Sequence, residues 1–97
     1  MSTTYRESFR IDADHPALPG HFPGRPLVPG VLLLEQVALA LAHWRGQRLE
    51  RLIEAKFAAP LLPGEEAVVE LGEAGARVRF AVRRGETLLA RGQLEGA

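Results

Sequence analysis

The chain has 97 residues, twelve basic against twelve acidic side chains, no cysteine, and 46% apolar residues. That suits one folded domain and excludes a disordered tail, a disulfide scaffold and a general nucleic-acid binder, which would carry a basic excess. A domain this short buries a modest share of its surface, so assembly with another chain is expected.

The N-terminal segment MSTTYRESFR has no apolar signal core. The apolar stretches Val31 to Leu34 and Val37 to Ala42 are too short to span a bilayer, which takes about 20 residues. A cytoplasmic protein with no membrane and no nucleic-acid partner is the expectation. Tyr5 to Ile11 predicts a first strand, with Phe9 and Ile11 on one face and Ser8 and Arg10 on the other. Asp12 to Gly30 is a loop holding five of the seven prolines: Pro16, Pro19, Pro23, Pro26 and Pro29. Proline fixes φ and glycine frees it, so such a loop is irregular yet rigid. Loops of this length in compact domains usually serve function.

Val31 to about Trp44 predicts the one helix. Leucines and valines cover nearly every direction around it, so it is expected to be buried. Arg45 and Gly46 mark its end. Leu52 to Phe57 alternates as a strand, Pro60 to Gly64 turns, and Glu66 to Leu71 is extended. GEAG at 72 to 75 reads as a hairpin turn. Ala76 to Arg83 follows, with Ala76, Val78, Phe80 and Val82 inward and Arg77, Arg79 and Arg83 outward. Arg84 to Glu86 turns the chain, and Thr87 to Leu94 closes it. Tight turns imply an antiparallel sheet. The result is a single α+β domain over residues 1–97, its helix wrapped by that sheet and a second subunit.

Three residues carry the chemistry. Glu35 is the only ionisable group between Val31 and Ala42. Taking a carboxylate out of water disfavours its charge, and a carboxyl kept protonated is a candidate general acid. The plainer alternative is that it reaches an edge or meets an arginine. His21 sits in the rigid loop between Gly20 and Phe22, and imidazole suits a general base. The plainer alternative is an ordinary surface histidine. Gly30 opens the helix, where amides lack intrahelical partners and favour negative charge. It also reads as a simple helix-start glycine. Taken together the three reach as far as acid–base chemistry beside a carbonyl in an apolar site.

The string GHFPGRPLVPGVLLLEQVA resembles the signature of 3-hydroxyacyl-acyl carrier protein dehydratases of the hot-dog fold, the FabZ/FabA type. That pattern has His-Phe-Pro-Gly, a Pro-Gly opening the central helix, and an acid within it. Here these are His21, Gly30 and Glu35, with fourteen residues from histidine to acid. AKFAAPLLPGEEAVVEL resembles the family's Pro-x-x-Pro-Gly-Asp stretch, with Glu65 for the aspartate, and VRFAVRRGETLLARGQLE resembles its closing hairpin. The resemblance implies a dimeric hot-dog fold, no cofactor and no metal. It implies that His21 takes a proton from C2 of a 3-hydroxyacyl thioester held on acyl carrier protein. The Gly30 amide steadies the carbonyl, and Glu35 protonates the departing hydroxyl. A trans-2-enoyl thioester remains, as in fatty acid, polyketide or polyene synthesis. Histidine and acid of one site come from opposite subunits of a homodimer, which can assemble further. Phe22, Pro29, Val31 and Leu34 are the expected substrate-binding residues beside the acyl tunnel.

One position departs. Family members often carry glutamine one turn after the acid, where Leu39 stands here. Gln36 follows Glu35 directly and points elsewhere on a helix. A hot-dog acyl thioesterase and a catalytically silent acyl-binding subunit are the competing readings. The intact His-Phe-Pro-Gly loop speaks against the first, and the presence of both His21 and Glu35 against the second. His15 reads as a surface turn residue, and no ligand set completes a metal site with His21. His43 and Trp44 close the helix. The arginines mostly face solvent, some forming a basic rim toward an acidic carrier protein.

Overall fold

The structure, a computed structural model, describes residues 4–15 and 27–97. In chain order it holds β1 (Thr4–Arg10), α1 (Gly30–Arg45), β2 (Leu49–Phe57), β3 (Glu66–Ala74), β4 (Arg77–Arg84) and β5 (Thr87–Gly96). The five strands form one antiparallel sheet in the order β1-β3-β4-β5-β2. β1 and β2 are therefore its edges.

The alternation that predicts the strands also builds the core. Ala67, Val69 and Leu71 of β3 and Val78, Phe80 and Val82 of β4 are buried, while Arg77 and Arg79 face out. The inner face packs on α1, which touches β1, β2, β3 and β4. Leu32, Leu33, Val37, Ala40 and Leu41 of the helix are buried there. Burying one such leucine stabilises by about 1.5–3 kcal/mol. Ile11, Val28, Leu61, Leu89, Ala90 and Leu94 complete the cluster. Among the described residues, no helix is long and apolar enough to cross a membrane.

The pairing changes register between Val82 and Arg83, where the partners step from Ala90 to Leu88. The extra residue at Leu89 lets Leu89 and Ala90, neighbours in sequence, both point inward. Bulges in the β2–β5 pairing bring the Glu54 carbonyl over Gly92. A Cβ there would lie 1.9 Å from that oxygen, so only glycine fits.

Two expectations need correction. The hairpin turn is Gly75-Ala76, not residues 72 to 75. Gly75 takes φ 66°, while Gly72 stays in β3, paired with Thr4 and Arg79. Ala76, expected inward, is an exposed turn residue. The helix, expected to be wrapped by the sheet and a second subunit, is left open on one side by the single chain. Val31 and Leu39 are 62% and 49% exposed, and Glu35 and Ala42 are exposed with them. Positions 31, 35, 39 and 42 follow the 3–4 residue helical spacing, so they form one stripe. The sheet covers the opposite face only.

Candidate active site

The site is built on α1 and on what flanks its start. Pro29 precedes the helix, no side chain caps it, and the first turn holds no acidic residue. The Leu32 amide is satisfied by the Pro29 carbonyl at 3.0 Å. The Val28 amide binds the Leu61 carbonyl at 2.9 Å, tying the approach to the helix against the β2–β3 connection. The Gly30 amide thus heads a helix whose positive end is not neutralised by a capping carboxylate.

Two separate grooves open along the helix. The first, of about 500 Å³, surrounds its start and is lined by Val28, Gly30, Leu33, Phe57, Ala58, Ala59, Pro60 and Leu61. The second, of about 440 Å³, is lined by Glu35, Ala38, Leu39, Ala42, Gln47, Arg48 and Leu49. Gly30 and Glu35 therefore belong to different grooves. Helical geometry explains this, since five residues turn the helix by about 140° beyond a full circle and advance it about 7.5 Å. Among the described residues of one chain, the glycine amide and the carboxyl line different grooves.

The expected residues divide accordingly. Gly30 is placed at the helix start, and Leu34 and Pro29 are half-buried there. Val31 and Glu35 lie on the exposed stripe. The expected burial of Glu35 is not met within one chain. Leu39 shares the groove of Glu35, and Gln36 is not among its described lining residues. His21 and Phe22 lie outside the described residues. Phe57, Gln47 and Arg48 are groove residues that the sequence reading did not single out. Alternation groups Phe57 with Ile53 and Ala55, which are half-buried, but Phe57 is 52% exposed.

Glu65 has a structural place. Its carboxylate accepts from the Leu62 amide at 2.9 Å and from Arg84 at 3.1 Å, while Arg84 also donates to the Pro60 carbonyl. The Gly64 amide donates to the Ile11 carbonyl at 2.7 Å. This turn thereby docks beside the end of β1 and supports the wall of the first groove.

The far end of α1 is closed by a backbone hydrogen bond. Gly46 adopts a left-handed φ of 66° and its amide returns to the Ala42 carbonyl. Trp44 stacks on Tyr5 with ring centroids 6.1 Å apart, and the Arg45 guanidinium lies 4.0 Å over the indole. Arg45 also pairs with Glu73. Glu7 accepts from the Tyr5 hydroxyl at 2.6 Å and lies 2.8 Å from His43 Nδ1. Partial burial pushes the Glu7 carboxyl up, but the hydrogen bonds from Tyr5 and His43 together hold it below its ordinary value. The same bond raises the Tyr5 hydroxyl above its own.

A five-stranded antiparallel sheet closed around one helix, in this strand order, is the hot-dog fold. The ApeI dehydratase family model, ApeI-like, matches residues 2–93. The chain belongs to that family. It is 38% identical over 66 residues to the 3-hydroxyacyl-[acyl-carrier-protein] dehydratase FabZ of Haemophilus influenzae, covering 58% of this chain and 45% of that protein. The chain thus spans about half the length of the curated relatives it matches. In three dimensions it is similar to the dehydratase heterocomplex ApeI:P from Xenorhabdus doucetiae. The TM-score is 0.79 at 21% identity, over 97% of this chain and 87% of that one. A probable thioesterase from Bartonella henselae superposes with a TM-score of 0.72 at 17% identity, over 97% and 88%. At these identities the structural neighbours speak for the fold alone.

Proposed function

We propose that the chain dehydrates a 3-hydroxyacyl thioester, presented on acyl carrier protein, to the trans-2-enoyl thioester. His21 is the base at C2, the Gly30 amide holds the carbonyl, and Glu35 protonates the leaving hydroxyl. Family membership supports the reaction class, and the name of the H. influenzae relative supports the substrate class.

The observation that carries the reading is the separation of Gly30 and Glu35 into two grooves at opposite ends of β2. The first groove ends on Phe57 and the second on Leu49, the last and first residues of that strand. β2 is an edge strand, and an uncovered edge is a template for another strand. Two copies related by a twofold axis perpendicular to the sheet pair their β2 edges antiparallel. The Leu49 end of one copy then lies beside the Phe57 end of the other. That pairing brings Glu35 of one chain toward Gly30 of its twin, and buries the Val31–Leu39 stripe. The carboxyl leaves water at the same moment. A dry carboxyl is the proton donor that the leaving hydroxyl needs. A homodimer with shared sites is thus part of the proposal.

Leu39 beside Glu35 leaves the acid without an amide partner on its own helix. The carboxyl is then oriented by apolar packing and by the twin. The thioesterase reading is kept as an outcome of the test. The protein is incubated with a 3-hydroxyacyl thioester on carrier protein, and the mass is followed. Loss of one water is expected, whereas release of a free thiol reveals a thioesterase. Binding without change reveals a silent module. His21→Ala and Glu35→Ala each abolish water loss, and mixing the two variants restores part of it. Absence of rescue after verified subunit exchange contradicts shared sites.

A further inference from the structure

We propose that Phe57 is a substrate-contacting wall of the cleft at Gly30, holding the thioester carbonyl in line with the helix-start amide. The proposal rests on the dehydratase reading above and adds a residue to its site. A Cβ built on Gly30 would lie 2.8 Å from Cε1 and 2.9 Å from Cζ of the Phe57 ring. The ring therefore lies on the helix start only because residue 30 has no side chain. A side chain at residue 30 would push the ring aside, so the close approach of the ring, and not an unusual φ, favours glycine here.

The ring is also unusually open for its position. Phe57 is 52% exposed, whereas Phe80, on the inner face of β4, is 3% exposed. One part of the ring packs on Gly30 and the other lines the groove. The backbone behind it is pinned, because the Ala58 and Ala59 amides both donate to the Leu89 carbonyl, at 2.8 and 3.3 Å. A carbonyl placed on the Gly30 amide has this ring for a neighbour. The ring excludes water from one side of the amide, which strengthens a hydrogen bond to developing negative charge. It also limits the angles at which a thioester can enter, and small errors of placement are costly in rate.

The test measures kcat and KM for carrier-bound 3-hydroxyacyl thioester with wild-type protein, Phe57→Leu and Phe57→Ala, alongside melting temperature and size-exclusion mass. Phe57→Ala is expected to lower kcat/KM by about tenfold or more, mostly through kcat, with Phe57→Leu between it and wild type. Gly30→Ala drives a methyl group into the ring, so its penalty is expected to be smaller in the Phe57→Ala background than alone. A residue that only supports the fold lowers the melting temperature and the active fraction together, leaving kcat per folded molecule unmoved. Unchanged turnover in Phe57→Ala overturns the proposal, as does a loss that merely follows dissociation into monomers. A wild-type protein that turns over while Phe57→Ala is indifferent sinks this inference alone. A wild-type protein that releases no water sinks the reading beneath it as well.

Discussion

The two ends of α1 are built by opposite rules. At the C-terminal end the closing groups are partnered: the Gly46 amide returns to the Ala42 carbonyl, Trp44 contacts both Tyr5 and Arg45, and Glu7 joins Tyr5 to His43. At the N-terminal end no side chain caps the helix, and a half-open phenyl ring lies against a glycine. Helix ends left without caps are costly unless something else fills them. The satisfied end anchors the helix to β1. The N-terminal end faces a groove of about 500 Å³.

That contrast breaks if changes on the open stripe cost stability and changes at the anchored end cost chemistry. The largest expected effect is Glu35→Gln. The amide keeps the shape but cannot deliver the proton, so turnover is expected to fall by about 100-fold or more. Glutamine matches the size of the protonated carboxyl and adds no charge to the dry site of the dimer, so the melting transition should stay within about 1 kcal/mol of wild type. A large stability loss with activity retained reverses the roles assigned to the two ends. Next is Trp44→Ala, which removes the ring that contacts both Tyr5 and Arg45. A half-buried stacked indole is worth about 2 kcal/mol or more, seen in chemical denaturation. Activity per folded molecule should be unaffected, and a fall in kcat for the folded fraction extends the site to this end.

The sheet, the helix and its Gly46 stop were legible because they depend on local periodicity. Val78, Phe80 and Val82 alternate with arginines, and that pattern alone sets the face they bury. The Gly75-Ala76 turn was misplaced because Gly72 also reads as a turn residue, and only pairing with Thr4 and Arg79 on both sides keeps it in the strand. The all-apolar helix predicted burial by the sheet and a second subunit, but not which residues each would cover. A single sheet covers one side of a cylinder, and Val31 and Leu39 are left for another surface. Gly30 and Glu35 were legible as residue types in a motif, but their division into two grooves was not. It follows from the helical turn between them and from which strand forms the edge. Phe57 was missed because its contact with Gly30 joins residues twenty-seven apart in sequence through the β2 geometry. His21 lies outside the described residues, so its place in the site rests on the motif.

The smallest effect, and the finest probe of the anchored end, is the pH dependence carried by Glu7. Its carboxyl is held below the ordinary value of 4.5 because Tyr5 and His43 hydrogen-bond the ionised form and outweigh partial burial. A carboxyl whose pKa is lower folded than unfolded stabilises the fold above its unfolded pKa. That contribution disappears as pH falls through the lower, folded value, when both states carry the proton. Wild-type stability should therefore decline as pH is taken from about 5 downward. Glu7→Gln should lose up to about 1 kcal/mol at neutral pH, since the His43 side chain is largely exposed and water screens the pair. It should also show a shallower decline on the acid side, so the two curves converge at low pH. Thermal melts between pH 3 and 7 read both features. Curves that stay parallel throughout would mean that Glu7 acts by packing alone, and that the Tyr5–Glu7–His43 bonds contribute no charge-dependent anchoring to β1.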